Sequence, residues 1–267
     1  MITVAVPLYL SVLICLFVCS IIMVIVWMWA KRVHNAGVVD IFWAFNFSVI
    51  GLLLFALAQG YAPRKALIAA MVVIAGLRLG SHLGIRVIGH LEEEEGRYRQ
   101  LRKEWAPHAD RRFFWFFQVQ AFSNVLLAIP FFISTANTYP ALSAWEYAGA
   151  FLWLVAVIGE WLADRQLAAF KKDPANKGKV CSVGLWNYSR HPNYFFEWLL
   201  WLAYFVYALG SPYGWLAIFS PLFILYLLLK VTGIPATEQQ SLRTKGAAYE
   251  NYQRQTSVFI PWFKKNA

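Results

Sequence analysis

Residues 198–229 read WLLWLAYFVYALGSPYGWLAIFSPLFILYLLL, without one Asp, Glu, Lys or Arg. A helix crosses a bilayer with ~20 apolar residues, so this run is too long for one ordinary span and long enough for two short ones. Gly210-Ser211-Pro212 is a turn signal at the point of division. The first 30 residues and the stretch 113–145 are equally free of charged side chains. Over all 267 residues the chain is 60% hydrophobic and 14% charged, where a soluble domain carries roughly a quarter charged residues. The fold class that follows is all-α, a polytopic integral membrane protein.

Seven spans are expected, at about 5–30, 40–59, 66–88, 113–136, 144–168, 193–209 and 212–229. Six spans with one re-entrant segment is the alternative, and Pro130 is the one candidate break within a span. The N-terminal run lacks the basic start, short apolar core and cleavage site of a signal peptide. Lys and Arg set the orientation. They follow spans one, three, five and seven, as in Lys31-Arg32, Arg111-Arg112, Lys171-Lys172 and Lys264-Lys265, while the opposite loops hold only Arg64 and Lys65. The positive-inside rule then puts the N-terminus outside and the tail 230–267 in the cytoplasm, in the inner membrane if the source is bacterial. The net charge of +10 resides in these loops, so it answers to the membrane and not to nucleic acid. Cys15, Cys19 and Cys181 have no metal-ligand spacing, and no metal is expected.

Two polar segments have structure of their own. Glu92–Glu95 precede Arg97, Arg99, Arg102 and Lys103, an order that supports a short solvated helix. The tail ends Phe259-Ile260-Pro261-Trp262-Phe263-Lys264-Lys265, the composition of an interfacial anchor.

Ionisable groups at bilayer depth cost about 2.5–3.5 kcal/mol each and usually face a protein interior. Asp40 opens span two, with Asn46 further in. Arg78, His82 and Arg86 lie four apart on span three and share one helix face. Glu160 and Asp164 do the same on span five, as do Asn193 and Glu197 at the start of span six. Arg86 is equally explained by snorkelling to the surface, and His82 by helix packing. Paired acids on one face need cations or hydrogen-bond donors, which points to a water-accessible site for a polar ligand.

The stretch from Gly184 to Glu197, GLWNYSRHPNYFFE, resembles the signature of the steroid 5-alpha-reductase-like family, in particular its DUF1295 branch. Sterol C14-reductases and isoprenylcysteine carboxyl methyltransferases are related to it. Asp40-Ile41-Phe42-Trp43, Arg78-Leu79, and the tail Glu238, Leu242, Gly246, Tyr249 and Tyr252 agree with the same pattern. The resemblance implies NADPH, held by the C-terminal part (113–267), and a hydrophobic small molecule from the bilayer, enclosed by the N-terminal part (1–112). Implied cofactor contacts are Arg78, Arg86, Glu160, Asp164, Lys171, Lys179, Tyr188, Arg190, His191, Asn193, Tyr194, Glu197, Glu238, Tyr249 and Tyr252. Trp43 and Asn46 are assigned to the substrate.

The reaction implied is reduction of a carbon–carbon double bond conjugated to a carbonyl, in a flat lipid or steroid-like molecule. Asp40 and His82 are expected to polarise the carbonyl oxygen. Two features depart from the family pattern. Span three offers no tyrosine beside the acid of span two, and Phe196 replaces the glycine usual before the acid. The lack of a Gly-x-Gly-x-x-Gly motif excludes a Rossmann site. The alternatives are an S-adenosylmethionine-dependent membrane methyltransferase, against which Thr237-Glu238 replaces the usual pair of glutamates, and a non-enzymatic lipid-binding protein.

Overall fold

A computed structural model describes residues 6–94, 96–231 and 233–264, so Glu95 and Lys265 of the segments above lie outside the described residues. The helices in chain order are α1 (Leu8–Val33), α2 (Val38–Leu57), α3 (Ala62–Ile88), α4 (Gly96–Glu104), α5 (Ala109–Leu127), α6 (Ile129–Ala136), α7 (Ala144–Lys172), α8 (Pro192–Ala208), α9 (Phe219–Tyr226), α10 (Ile234–Lys245) and α11 (Ala247–Gln255). Among the described residues the only β pairing is a single bridge, Ser189 with Ser257.

Among the described residues, five helical stretches are long and apolar enough to cross a membrane, and six if α5 and α6 count as one span bent by 41°. The bend falls where Pro130 opens α6, because proline removes a backbone donor and cannot continue the preceding turn. The 17-residue α8 is at the lower edge of spanning length. The expected last span extends further than its apolar run. Residues 214–245 are helical almost throughout, with a π-helical turn at Leu227–Val231 leading into the polar α10.

The chain forms two compact units, Met1–Ser143 with Gly210–Leu216, and Ala144–Leu209 with Ala217–Ala267. α5 packs on α1 and α2 and belongs to the first unit.

In the first unit α2 and α3 form the closest pair. Gly76, Gly80 and Gly84 recur every fourth residue along the buried face of α3, the small-residue spacing that lets membrane helices approach. A Cβ at Gly76 would stand 2.4 Å from Ser48 Oγ and 2.9 Å from the Ala44 carbonyl oxygen. Arg64, one of the two bases of the sparse loops, is completely buried. Its Nη1 donates to the carbonyls of Asn137 and Tyr139 at 2.9 Å each, and Nη2 to that of Ala141. Asn137 in turn donates to the Gly210 carbonyl and Ser211 Oγ, which ties that short segment into the unit.

The short solvated helix expected at 92–103 forms at Gly96–Glu104. The acids stand before α4, not within it. Glu94 Oε1 accepts the Ala36 amide at 2.9 Å, and both its oxygens take Arg102. Burial raises the Glu94 carboxyl, but the Arg102 hydrogen bond and the Ala36 amide outweigh that and leave it lowered. Asn35 donates to the Leu91 carbonyl, and Tyr98 of α4 is fully buried.

Gly76→Val should overpack the α2–α3 seam at a cost of about 1–3 kcal/mol. The measurement is thermal unfolding in detergent. The midpoint should fall for Gly76→Val and stay put for Gly96→Ala, where nothing lies within 4 Å of the added carbon.

Candidate functional site

The Gly184–Glu197 motif lies in the second unit, between α7 and α8. Gly184 has φ +54°, and a Cβ there would meet Gln166 at 2.4 Å, so only glycine fits. Gln166 Oε1 accepts the Leu185 amide at 2.8 Å, and the Trp186 indole donates to the Ala163 carbonyl at 2.9 Å. These bonds fasten a 3-10 turn, Gly184–Asn187, onto the end of α7. Ser189 Oγ donates to the Phe259 carbonyl and accepts the His191 amide. Pro192 then starts α8 at a position where its missing N–H costs nothing.

Arg190 joins the motif to the tail. Its Nε donates to Glu238 Oε1 of α10 at 2.6 Å, and its Nη1 to the carbonyls of Gln253 and Thr256 at 2.9 and 2.7 Å. The last two belong to the C-terminal end of α11, where carbonyls without helical partners favour a cation. His191 Nε2 lies 3.3 Å from the same Glu238 oxygen, and Gln253 donates to the other at 3.0 Å. Burial pushes the Glu238 carboxyl up, but the hydrogen bonds of His191 and Arg190 outweigh it and hold the group at about 2.

Tyr252 is buried and donates to the carbonyls of Trp186 and Ser189. Burial, with Glu238 nearby, pushes the Tyr249 phenol up to about 12. Arg190, Glu238 and Tyr252 thus spend their polar atoms inside the protein. In this geometry those atoms dock the tail onto the motif.

Other expected contacts present accessible atoms. Asn193 Nδ2 donates to Asp164 Oδ1 across α7 and α8 at 3.3 Å, and both residues are half-buried. Glu197 accepts the Trp201 indole at 2.9 Å. Tyr194 stacks on the His191 ring, 5.4 Å between centroids, and its hydroxyl meets Thr237 Oγ1 at 3.1 Å. Tyr188, Lys171 and Lys179 are exposed, and Glu160 is buried one turn below Asp164. Lys171 lies seven residues beyond Asp164, hence two turns further on the same face of α7. Burial, and then the charge of Lys171, lower the Lys245 ammonium at the end of α10. Phe196 is accommodated by a glycine on the facing helix, because a Cβ at Gly159 would meet its ring at 2.3 Å.

The first unit holds a different polar group. Tyr98 Oη donates to Asp40 Oδ1 at 2.7 Å. The expected partner, His82, is exposed and makes no hydrogen bond among the described residues, so Tyr98 takes its place beside Asp40. On the same helix as His82, Arg78 is half-buried and Arg86 exposed.

Trp43 and Asn46, expected at the substrate, stitch α2 to α5. The Trp43 indole donates to Ser123 Oγ, Asn46 Nδ2 to Asn124 Oδ1, and Asn124 Nδ2 to the Trp43 carbonyl. An apolar notch of about 350 Å³ lies between α1 and α2, lined by Ile22, Ile25, Val26, Trp29 and Phe42. Among the described residues no three His, Cys, Asp or Glu side chains gather as metal ligands.

Sequence reasoning missed Tyr98, a single aromatic in a charged segment, and also Gln253, Thr237 and Lys245. For the last three the sequence carries no signal, since only the return of the tail brings them to the motif.

Glu238→Ala leaves Arg190 facing a half-buried gap and should loosen the tail by about 3 kcal/mol, the scale of a broken buried pair. Tryptic cleavage after Arg254 should accelerate, and Glu238→Gln should fall between variant and wild type. Because the Glu238 carboxyl is held low, its contribution is complete above the usual carboxylate range and is lost as pH falls toward about 2. Exchange of the Arg190 amide, bonded to the Ser257 carbonyl at 2.8 Å, should therefore rise only in strong acid.

No solved structure matches the chain significantly. Uncharacterized protein C594.04c of Schizosaccharomyces pombe is 28% identical over 187 residues, covering 62% of this chain and 53% of that protein. The alignment thus takes in about half the length of this curated relative. The family model described as "Protein of unknown function (DUF1295)" matches residues 26–256. Since that match takes in most of the helices and the whole motif from Gly184 to Glu197, the chain belongs to the DUF1295 family.

Proposed function

We infer that this protein is an NADPH-dependent membrane oxidoreductase that reduces a carbonyl-conjugated carbon–carbon double bond in a flat hydrophobic molecule. The observation that carries the reading is the face of α7. The Asp164–Asn193 pair sits two turns from Lys171, to which Lys245 adds a second cation. Two turns of helix rise about 11 Å, a separation suited to a ligand with hydrogen-bonding groups at one end and phosphates toward the other. Lys171, Lys245 and the exposed Lys179 would pair with phosphates. Asp164, Asn193 and Glu197 would accept from and donate to ribose hydroxyls and a carboxamide. NADPH when bound would supply the hydride.

The chain's own residues would position, shield and protonate. The Tyr98–Asp40 pair couples a phenol to a carboxyl at 2.7 Å and can hold a proton for the substrate oxygen. The α1–α2 notch, apolar throughout, suits a hydrophobic ring or chain taken from the bilayer.

Calorimetric titration of the solubilised protein should show NADPH binding that weakens roughly tenfold or more in Asn193→Ala and Glu197→Ala, the loss expected for hydrogen bonds to charged groups. Binding of S-adenosylmethionine with none of NADPH would overturn the reading in favour of a methyltransferase. In single-turnover NADPH oxidation with apolar enones, Tyr98→Phe should slow the reaction by roughly 10²–10⁴, the range for a lost general acid. NADPH affinity should hardly change. Wild-type turnover in Tyr98→Phe, with a slow His82→Ala, would move the proton donor to His82.

A further inference from the structure

The end of the tail forms a short extended strap along the motif. The Arg190 amide donates to the Ser257 carbonyl at 2.8 Å, and the Trp262 amide to the Tyr188 carbonyl at 2.9 Å. Ser189 Oγ reaches the Phe259 carbonyl at 2.8 Å between them. Phe259 points inward and packs against Phe195 and Trp198, 5.7 and 5.9 Å between ring centroids. Ile260 is 57% exposed, Trp262 67% and Phe263 76%, with the Phe263 ring edge-on to exposed Tyr188 at 6.2 Å. Clustered bare aromatics of this size call for a partner.

The height of the strap decides which partner. With 17 residues α8 is about 25 Å long, shorter than the ~30 Å hydrocarbon layer it would cross. A helix of that length crosses only where its first turn begins at the membrane interface. Tyr188 to Arg190, two to four residues before that turn, and the strap bonded to them share this level. Trp and Tyr favour the headgroup region, where ring and polar edge are both satisfied. Lys264 follows the aromatics and supplies charge complementary to phosphate.

We propose that Ile260, Trp262, Phe263 and Lys264 form a docking surface for anionic phospholipid, and that lipid seated there clamps the strap onto Ser189 and Arg190. Lipid composition would then set how firmly the motif is held, whatever ligand the motif serves.

The native cysteines are buried, so a thiol-reactive fluorophore can be directed to Phe263→Cys or, as a control, to Lys177→Cys in the exposed 173–179 loop. In nanodiscs, nitroxide lipid labelled near the glycerol should quench the probe at 263 and aqueous iodide should not, with the reverse at 177. Equal iodide quenching at both sites would overturn the proposal. So would protection of 263 from both quenchers in a chain that migrates as a dimer, because the surface would then belong to a second copy.

Amide exchange provides the coupling. In wild type, raising phosphatidylglycerol over phosphatidylcholine should slow exchange at Arg190 and Trp262 together, and Lys264→Glu should cut that preference roughly fivefold, the value of one basic residue at an anionic surface. The double variant Trp262→Ser, Phe263→Ser should exchange at least about tenfold faster at both amides, given the apolar area lost from each ring. Exchange indifferent to lipid and to these variants would overturn the clamp. None of these readouts uses NADPH, so they stand or fall apart from the proposed reaction.

Discussion

Everything at the motif depends on one guanidinium. Arg190 is mostly buried, and a buried cation is tolerable only if its donors are met. Glu238 meets one, and the carbonyls of Gln253 and Thr256 meet another. These partners come from three places in the tail, α10, α11 and the turn after it, so satisfying one side chain fixes the whole C-terminal segment over the end of α7 and α8. His191 shares the same carboxylate and passes the constraint through its stacked Tyr194 to Thr237. A residue of this kind organises a site without offering itself to a ligand.

The lipid environment imposes the same accounting elsewhere. With no water at bilayer depth, polar groups must find partners inside the protein. Asn46 and Asn124 do so between α2 and α5, the Trp153 indole with Tyr204 in the α7–α8 pair, and Arg64 with three carbonyls near the turn that leads into α7. Glycine supports these contacts by letting helices close in, at Gly76 against α2 and at Gly149, where a Cβ would stand 2.5 Å from the Tyr207 amide nitrogen. Membrane helices gain little from burying apolar surface against one another. Close backbone approach and satisfied polar pairs therefore carry much of the specificity.

The two polar clusters differ in kind. That of the second unit is rich in cations and amides and is exposed at Lys171 and Lys179. In the first unit a phenol of α4 meets a carboxylate of α2, and Arg102 ties α4 to Glu94. An exposed ionic site suits a charged soluble ligand, and a shielded proton-holding pair suits chemistry on an apolar one.

Apolar run length and the absence of charge determined the helical, membrane-spanning character of the chain, because both are set by bilayer thickness and need no knowledge of neighbours. The position of the motif and the break near Pro130 were legible for the same reason, being local backbone chemistry. Periodicity placed Arg78, His82 and Arg86 on one face, yet it gave no sign of Tyr98, which α4 brings to Asp40 across 58 residues of chain. Nor could composition distinguish an arginine awaiting phosphate from one that holds a tail. Arg190 carries the same charge either way, and only the folding back of α10 and α11 brings Glu238 and two terminal carbonyls within hydrogen-bonding distance of it.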